Sequence, residues 1–555
     1  MQHPATLALP HDAMQPAYDV VVVGSGYGGG IAASRLARAG QRVCVLERGR
    51  EVSVGSFPAR LPDLRRELQV SGAKTRSGSG TGLYDVRVGV DINVVVACGL
   101  GGGSLINAGV ALRPDDRVFA DPVWPEAIRT DGLVDLGYAR ASAMLRPARF
   151  AAAPALTKYQ ALEAASGVFG KKPVVAPVTV SFEDTVNAAG IAQRACTLCG
   201  DCCSGCNVGA KNTVAATYLA DARTHGAEMF TGLTVSHIEK LSGFWRVHFL
   251  PSEGAATTSS HVDAKTAILG AGTLGSTEIL LRSRARGLKL SAQLGERFSA
   301  NGDIIAFALG GQNRANAVGV GEPPKFTRDR VGASVAGQIE LPDDADLSAS
   351  MIIQEGTMPS SVAPLLPVFF IAGGRILGAA HSLIKGVYEG PLSSLQSFFV
   401  VSHDDAAGRL TFENDALAVE WPDVAEQKVY ARVDEALTKA AEAVGGRYIK
   451  NPLIGTSMGT KPATAHPLGG CGMGETAASG TVNHKCQVFA GETGETVHAG
   501  LYVCDGAVIP RSIGCNPLLT ISALAERAMV HFARDHHLGF ETESIRNEAD
   551  LATSA

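Results

Sequence analysis

A chain of 555 residues, 46% apolar and 19% charged, is long enough to bury two or three domain-sized cores. Its net charge of −5 and lack of a long basic run give nucleic acid no electrostatic footprint, and no apolar run reaches the length of a membrane span. The 64 glycines follow no Gly-X-Y period, which excludes a collagen and points to clustered sites of close backbone approach.

Residues 1–17 are polar and unpatterned, and predict a loose tail. They show no basic, apolar-cored leader, so a cytoplasmic protein is expected. Tyr18–Val23 (YDVVVV) reads as a buried parallel strand, Ile31–Arg38 as a helix closed by Gly40, and Gln41–Glu47 as a second strand. Between the first strand and the helix, Gly24, Gly26 and Gly29 form G-x-G-x-x-G. With a strand before, a helix after and Glu47 ending the next strand, this is a dinucleotide-binding arrangement. Gly24 serves the tight turn, Gly26 the approach of the pyrophosphate and Gly29 the packing of helix on strand. The helix N-terminus takes the phosphate charge and Glu47 the ribose hydroxyls. The motif alone does not separate FAD from NAD.

Residues 98–109 (CGLGGGSLINAG) form a second glycine cluster, with Gly102, Gly103 and Ser104 able to turn backbone N–H groups toward an anion or a ring. Residues 116–190 predict helices broken by proline. Next, Cys196, Cys199, Cys202 and Cys206 stand in C-x2-C-x2-C-x3-C, with Cys203 as a fifth thiol and Asn207 where a ferredoxin run has proline. Short turns between thiols suit an iron–sulfur cluster or zinc, and free thiols or a disulfide remain the alternative. Thr213–Thr224 reads as a helix leading to a strand near Glu228–Phe230, Thr234–Leu250 as strand-turn-strand, and Lys265–Leu269 as a buried strand. The turn AGTLGS and a helix at Thr277–Arg282 follow. Alternating runs from 300 to 460 predict an antiparallel sheet. The mostly apolar stretch 361–386 reads as a buried hairpin, or as a surface element touching a membrane that holds an apolar substrate. In AHPLGGCGMG, His466 precedes Pro467 and is biased to extended backbone. A last strand (LYVCD) ends on Asp505, a loop carries Asn516-Pro517, and the helix Thr520–Ala533 opens where its N-terminus can stabilise negative charge. Nucleotide-binding pieces at the start, middle and end of the chain predict one domain assembled from 18–50, 90–115, 205–305 and 495–540. A substrate domain of 51–89, 116–204 and 306–494 is inserted, and 541–555 is a second tail.

In this order GSGYGGG, GLGGGSLINAG, AGTLGS, HPLGGC and DGAVIPRSIGCNPLLTISALAERA resemble the glucose–methanol–choline (GMC) flavin oxidoreductases, and within them the cholesterol-oxidase-like branch, over most of residues 18–530. The resemblance implies an α/β fold, with a Rossmann-like FAD domain and a substrate domain on a mixed or antiparallel sheet. It implies non-covalent FAD and oxidation of the CH–OH group of a bulky apolar alcohol, sterol-like or long-chain, by hydride transfer to flavin N5. The acceptor is O2 or an electron carrier. His466 matches the family's base beside N5 and Asn516 its partner. Asp505, Gly102, Gly103 and Asn107 match flavin-side contacts, and Val235 the adenine-side backbone contact. Glu355, in MIIQEGTMP, matches the sterol oxidases' active-site glutamate, against the reading of a solvated strand-end carboxylate. Some glucose dehydrogenases of the wider family carry an iron–sulfur cluster on a similar cysteine loop. A non-redox flavin enzyme (lyase, isomerase or photo-decarboxylase) and an electron-transfer subunit are the competing functions on this fold.

Overall fold

The computed structural model describes residues 6–72, 76–254, 259–322, 331–371, 387–450 and 461–539. Strand β1 (Ala17–Val23) sits near the middle of an eight-stranded sheet. Its valines, Val20 to Val23, are buried, as β-branched residues are in a strand covered on both faces. The chain turns into helix α1 (Tyr27–Arg38) and returns as β2 (Val43–Leu46). Helix α2 (Leu133–Leu145) comes much later, followed by β3 (Glu228–Phe230), β4 (Leu233–Lys240), β5 (Trp245–Pro251) and β6 (Ser260–Leu269). Helix α3 (Gly272–Ala285) leads into the second half, with β7 (Ile304–Leu309), β8 (Gly337–Leu341), β9 (Met351–Gly356), β10 (Gln396–Ser402) and α4 (Lys428–Ala443). The chain then comes back with β11 (Gln487–Phe489), β12 (Val497–Val503) and α5 (Leu518–Asp535).

The first sheet runs β3-β2-β1-β6-β5-β4, with β12 parallel to the second half of β6 and β11 antiparallel to β12. Val22 of β1 lies opposite Val45 on one side and Ile268 on the other, and Ala267 lies opposite Leu501. Strands from both ends of the chain therefore share one hydrophobic core, which α5 closes against α1 and α2. Inside that contact Arg35 grips Glu526, with Nη2 2.6 Å from Oε1 and Nε 2.9 Å from Oε2, and Tyr218 donates its hydroxyl to Oε1. Both side chains of the ion pair are buried.

The second sheet is antiparallel, in the order Arg447–Ile449, β7, β10, β9, β8, Val174–Val175. One face packs Ile339, Ile353, Phe398 and Val400 on Val433 and Leu437 of α4. The other face carries Gln338, Gln354 and Phe399. A smaller five-stranded sheet joins the halves. In it Ala463 and Thr464 pair in parallel with Asn93 and Val94, which sets the segment entering His466 beside the strand entering the glycine cluster 98–109.

Several expectations are corrected. Helices α1 and α3 begin at Tyr27 and Gly272, earlier than their apolar periods suggest: in α1 the first-turn glycines Gly28 and Gly29 pack on the backbone of Cys504 and Gly24, and α3 opens on Gly272 with φ +78°. Residues 6–16 are not a loose tail. The N–H groups of Leu7 and Ala8 donate to the Glu51 carboxylate, and Leu9 N–H to the Met229 carbonyl. Residues between Val118 and Leu145, and between Leu468 and Val488, join the first core rather than the substrate domain, since α2 packs on α5 and β11 pairs with β12. The stretch 361–386 opens as helical turns through Ile371, with Ala363, Leu366 and Phe370 packed on Phe307, rather than as a hairpin. Its remainder, and the tail 541–555, lie outside the described residues. Among those described, no helix is long and apolar enough to cross a membrane.

Candidate active site

The first, third and fifth motifs meet where β1, β6 and β12 end. Gly24 turns with φ +88°, and a Cβ there would sit 2.5 Å from the Gly270 carbonyl oxygen. At Gly28 a Cβ would fall 1.3 Å from the Cys504 carbonyl oxygen, so only glycine lets α1 press on the end of β12. Gly26 differs. The atom nearest to a Cβ there is Gly102 Cα at 4.0 Å, so this glycine faces open space beside the second glycine cluster. Glu47 is fixed at the end of β2. Its Oε2 accepts from Ser25 Oγ at 2.6 Å and Ser25 N at 3.1 Å, and its Oε1 accepts from Gly49 N at 2.7 Å. The Glu47 carbonyl accepts from Leu233 N at 3.0 Å, which brings the start of β4, and Val235 two residues on, to the same edge. Asp505 binds the third motif to the fifth. Its Oδ2 accepts from Gly272 N at 2.8 Å and Ser276 Oγ at 2.5 Å, and its Oδ1 from Ala507 N at 2.8 Å. Burial pushes this carboxyl up to about 6 despite those donors.

The second cluster lies against the first. Gly101 N donates to Ser25 Oγ at 2.9 Å, Gly102 takes φ +54°, and Gly103 has nothing within reach of a Cβ. Asn107 Nδ2 donates to the Tyr27 hydroxyl at 2.9 Å, and its carbonyl accepts Lys211 Nζ at 2.5 Å. Asn107 Oδ1 is buried with no hydrogen-bond partner among the described residues. A buried acceptor without a donor calls for a ligand N–H. With open glycine surface, a helix N-terminus for phosphate and an acceptor-only carboxylate for ribose, the residues present fit FAD.

A single segment ties together the loops that carry His466 and Asn516. Asp303 Oδ1 is 2.9 Å from His466 Nδ1, and its Oδ2 accepts from His466 N and Ala465 N at 3.1 Å and from Thr464 Oγ1 at 2.8 Å. Two residues earlier, Asn301 Oδ1 accepts from Ile513 N at 3.0 Å and Gly514 N at 3.1 Å, while its Nδ2 donates to the Cys515 carbonyl at 2.8 Å. Asn301 and Gly302 both take positive φ, +55° and +58°, so the chain reverses sharply between these two anchors. Asp404 holds the turn from below through Ala300 N and Gly302 N, each at 2.9 Å, and burial pushes its carboxyl up to about 6. The loops carrying His466 and Asn516 are thus tied to one turn. Burial acts to lower the His466 pKa, but the charge and hydrogen bond of Asp303 outweigh it and the net shift is upward. With Nδ1 committed to Asp303, Nε2 has no partner among the described residues, and the ring is about a quarter exposed.

Asn516 Oδ1 accepts from Gln354 Nε2 at 2.7 Å, and Asn516 Nδ2 lies 3.4 Å from Gln354 Oε1. Glu355 is not brought to this point. Side chains alternate along β9, so Gln354 faces Asn516 and Glu355 faces away. Nor is Glu355 solvated. It is fully buried, 2.9 Å from Lys158 Nζ, and accepts from Ala336 N at 2.7 Å and Gly337 N at 2.9 Å. Asp303, Asn301 and Gln354 were not singled out from the sequence. The Asn-Gly turn followed by an acid in SANGD, and strand alternation in MIIQEG, were the signals available.

The cysteine loop packs under this wall. Cys202 Sγ accepts from Ser334 N and Cys196 Sγ from Leu198 N, both at 3.4 Å. None of the eleven cysteines forms a disulfide. Burial pushes the thiols of Cys196 and Cys203 up to about 12 and about 11, and raises Cys199 and Cys206 as well. Among the described residues no three of these sulfurs lie within 4.8 Å of one another. Thiolates sharing one tetrahedral zinc sit about 3.8 Å apart, given Zn–S of about 2.3 Å, so the arrangement is not that of a zinc site.

A family model described as GMC oxidoreductase matches residues 28–300, and its C-terminal counterpart matches residues 412–525. A cholesterol oxidase of Mycobacterium tuberculosis is 28% identical, over 93% of this chain and 91% of the relative. A cholesterol oxidase of Acinetobacter baumannii is 26% identical over 94% and 95%. A long-chain-alcohol oxidase of Arabidopsis thaliana is 25% identical over 91% of this chain and 66% of the relative. Among solved structures, pyridoxine 4-oxidase from Mesorbium loti covers 94% of this chain and 99% of its own, with a TM-score of 0.57 and 15% identity, which speaks for the fold. These matches lead to one assignment: the chain belongs to the GMC oxidoreductase family, FAD-dependent enzymes that oxidise alcohols.

Proposed function

We propose that this enzyme oxidises the CH–OH carbon of a bulky apolar alcohol, sterol-like or long-chain, with His466 as the base and dioxygen as the acceptor. FAD, when bound, supplies N5 as the hydride acceptor. The observation that carries the reading is the Asp303–His466 pair, 2.9 Å apart with Nε2 left open. Nε2 takes the hydroxyl proton, and Asp303 keeps the Nδ1 proton in place and stabilises the imidazolium that results. The Asn516 carboxamide hydrogen-bonds the same oxygen and orients the carbinol carbon.

An apolar substrate is supported by the wall around Gln354. Phe399 lies directly opposite Gln354 and Ile305 opposite Phe399, so all three share one face of the second sheet. Ile305 is 48% exposed, a large apolar side chain open beside Asp303. The names of the relatives, cholesterol oxidase and long-chain-alcohol oxidase, support both the substrate class and the acceptor. For the cysteine loop we favour free thiols, in line with Cys196 Sγ and Cys202 Sγ accepting from the backbone N–H groups of Leu198 and Ser334. Iron and acid-labile sulfide in stoichiometric amounts in anaerobically purified protein would replace that reading with an iron–sulfur cluster.

The test is anaerobic addition of cholesterol or 1-dodecanol to the flavin-loaded enzyme. Bleaching of the flavin is expected, with hydrogen peroxide formed once air is admitted. His466→Ala should stay yellow and folded while flavin reduction slows about 10²–10⁴-fold. Unchanged single-turnover reduction in that variant, or no bleaching by any alcohol of a panel, overturns the proposal.

A further inference from the structure

A carboxamide has two ends of almost equal size and opposite hydrogen-bonding sense, so a lone asparagine can offer a substrate either N–H or C=O. At Asn516 the choice is made elsewhere. Gln338 and Gln354 lie directly opposite each other on the antiparallel strands β8 and β9. Glu340, two residues on from Gln338, is on the same face and exposed. The four side chains form a line. Gln338 Nε2 donates to Glu340 Oε1 at 2.7 Å, Gln354 Nε2 donates to Gln338 Oε1 at 3.3 Å, and Gln354 Nε2 also donates to Asn516 Oδ1 at 2.7 Å.

We propose that the exposed Glu340 carboxylate sets the orientation of the Asn516 carboxamide through Gln338 and Gln354, so that Asn516 presents an N–H donor to the reacting oxygen. This inference rests on the role proposed for Asn516. An ionised carboxylate only accepts, so the Gln338 amide must turn its NH2 toward Glu340 and its carbonyl toward Gln354. Gln354 must then turn its NH2 toward Gln338, and the second proton of that NH2 goes to Asn516 Oδ1. The Asn516 carbonyl is thereby used up. One Nδ2 proton faces Gln354 Oε1 at 3.4 Å, and the other is left for the substrate side. Reversing any one amide sets carbonyl against carboxylate or carbonyl against carbonyl at hydrogen-bond distance. Gln338 and Gln354 are each about 1% exposed, so no bulk water is at hand to repair such a mismatch. Glu340, Gln338 and Gln354 are positioning residues, and they act through Asn516.

Glu340 lies at the surface, so its substitution need not disturb the core. Glu340→Lys replaces the terminal acceptor with a donor and reverses the line, leaving the Asn516 carbonyl toward the substrate. With the flavin-loaded enzyme and saturating 1-dodecanol under anaerobic conditions, Glu340→Lys should slow flavin reduction about 10²-fold, the scale of losing one donor at a reacting oxygen. Glu340→Gln, which permits both orders, should fall in between, and Glu340→Asp should recover most of the rate. Placed on an Asn516→Ala background, Glu340→Lys should have no further effect, whereas a merely structural role would add its own loss. A second readout needs no turnover. Neutron diffraction from deuterium-exchanged crystals should show the ND2 group of Gln338 toward Glu340 in the parent, and the opposite order throughout in Glu340→Lys. If no alcohol reduces the flavin, the proposed reaction falls while the deuteron order still decides the relay. Equal rates for the parent and Glu340→Lys, or the same deuteron order in both, overturn it.

Discussion

At the scale of single residues, the histidine proposed as the base is held by a carboxylate 163 positions away in sequence. Asp303 raises the His466 pKa above its ordinary value of about 6.5, and a base must be neutral to accept a proton. Flavin reduction should therefore rise with pH through an inflection above 6.5. In Asp303→Asn the charge is gone, so the inflection should move to lower pH while the plateau falls as the ring loses its orientation. The pH profile of anaerobic reduction checks both. The stability linkage has the opposite sense. A raised histidine pKa stabilises the folded chain fully below about pH 6.5, and that contribution is lost as pH climbs through the raised value. His466, Asn516 and Glu47 could be singled out because each sits in a short contiguous motif. Asp303 and Gln354 could not, because their partners are brought by the fold from distant segments. Glu355 shows how finely a strand divides its neighbours: a shift of one residue exchanges the cleft-facing side for the side that binds Lys158.

At the scale of elements, the contact of α1 with α5 depends on a charge pair with almost no access to water. Glu526→Ala would leave the Arg35 guanidinium buried without its carboxylate, and should cost about 3–5 kcal/mol of stability. Glu526→Gln should cost less, since a carbonyl acceptor remains. Denaturant unfolding of the flavin-loaded variants, read by circular dichroism, measures the difference. The strands and helices around the nucleotide site could be read from the sequence because buried parallel strands are continuous β-branched runs and the closing helix carries a long amphipathic pattern. Their starting points could not. Glycine ordinarily argues against helix, yet in α1 it sits in the first turn, where absence of a side chain lets the helix end touch neighbouring backbone, and α3 opens on a glycine of positive φ.

At the scale of the molecule, the residues that fit FAD come from near residues 24–47, 101–107, 235, 272–276 and 505. A ligand bridging so many separate segments binds the folded chain and not the unfolded one. Enzyme with FAD at a thousand times its dissociation constant should gain about 4 kcal/mol over the stripped protein. The unfolding midpoint, followed with and without added FAD, should rise accordingly, and an unchanged midpoint would contradict the bridging. The sequence predicts a discontinuous nucleotide domain, since glycine turns recur at the beginning, middle and end, and strands from those distant segments share one sheet. It did not reveal that residues 118–145 and 468–488 complete the same core, because amphipathic helices and short strands carry no mark of which partner they cover.

Strand β12 and helix α5 are the last of the described elements, yet they lie beside β6 and α1 and supply the turn that Gly28 presses against. A ribosome must therefore deliver the chain through α5 before the proposed coenzyme site is complete. Nascent chains and truncated products lacking those two elements should emerge colourless, and the yellow of the pigment would report that translation has passed α5.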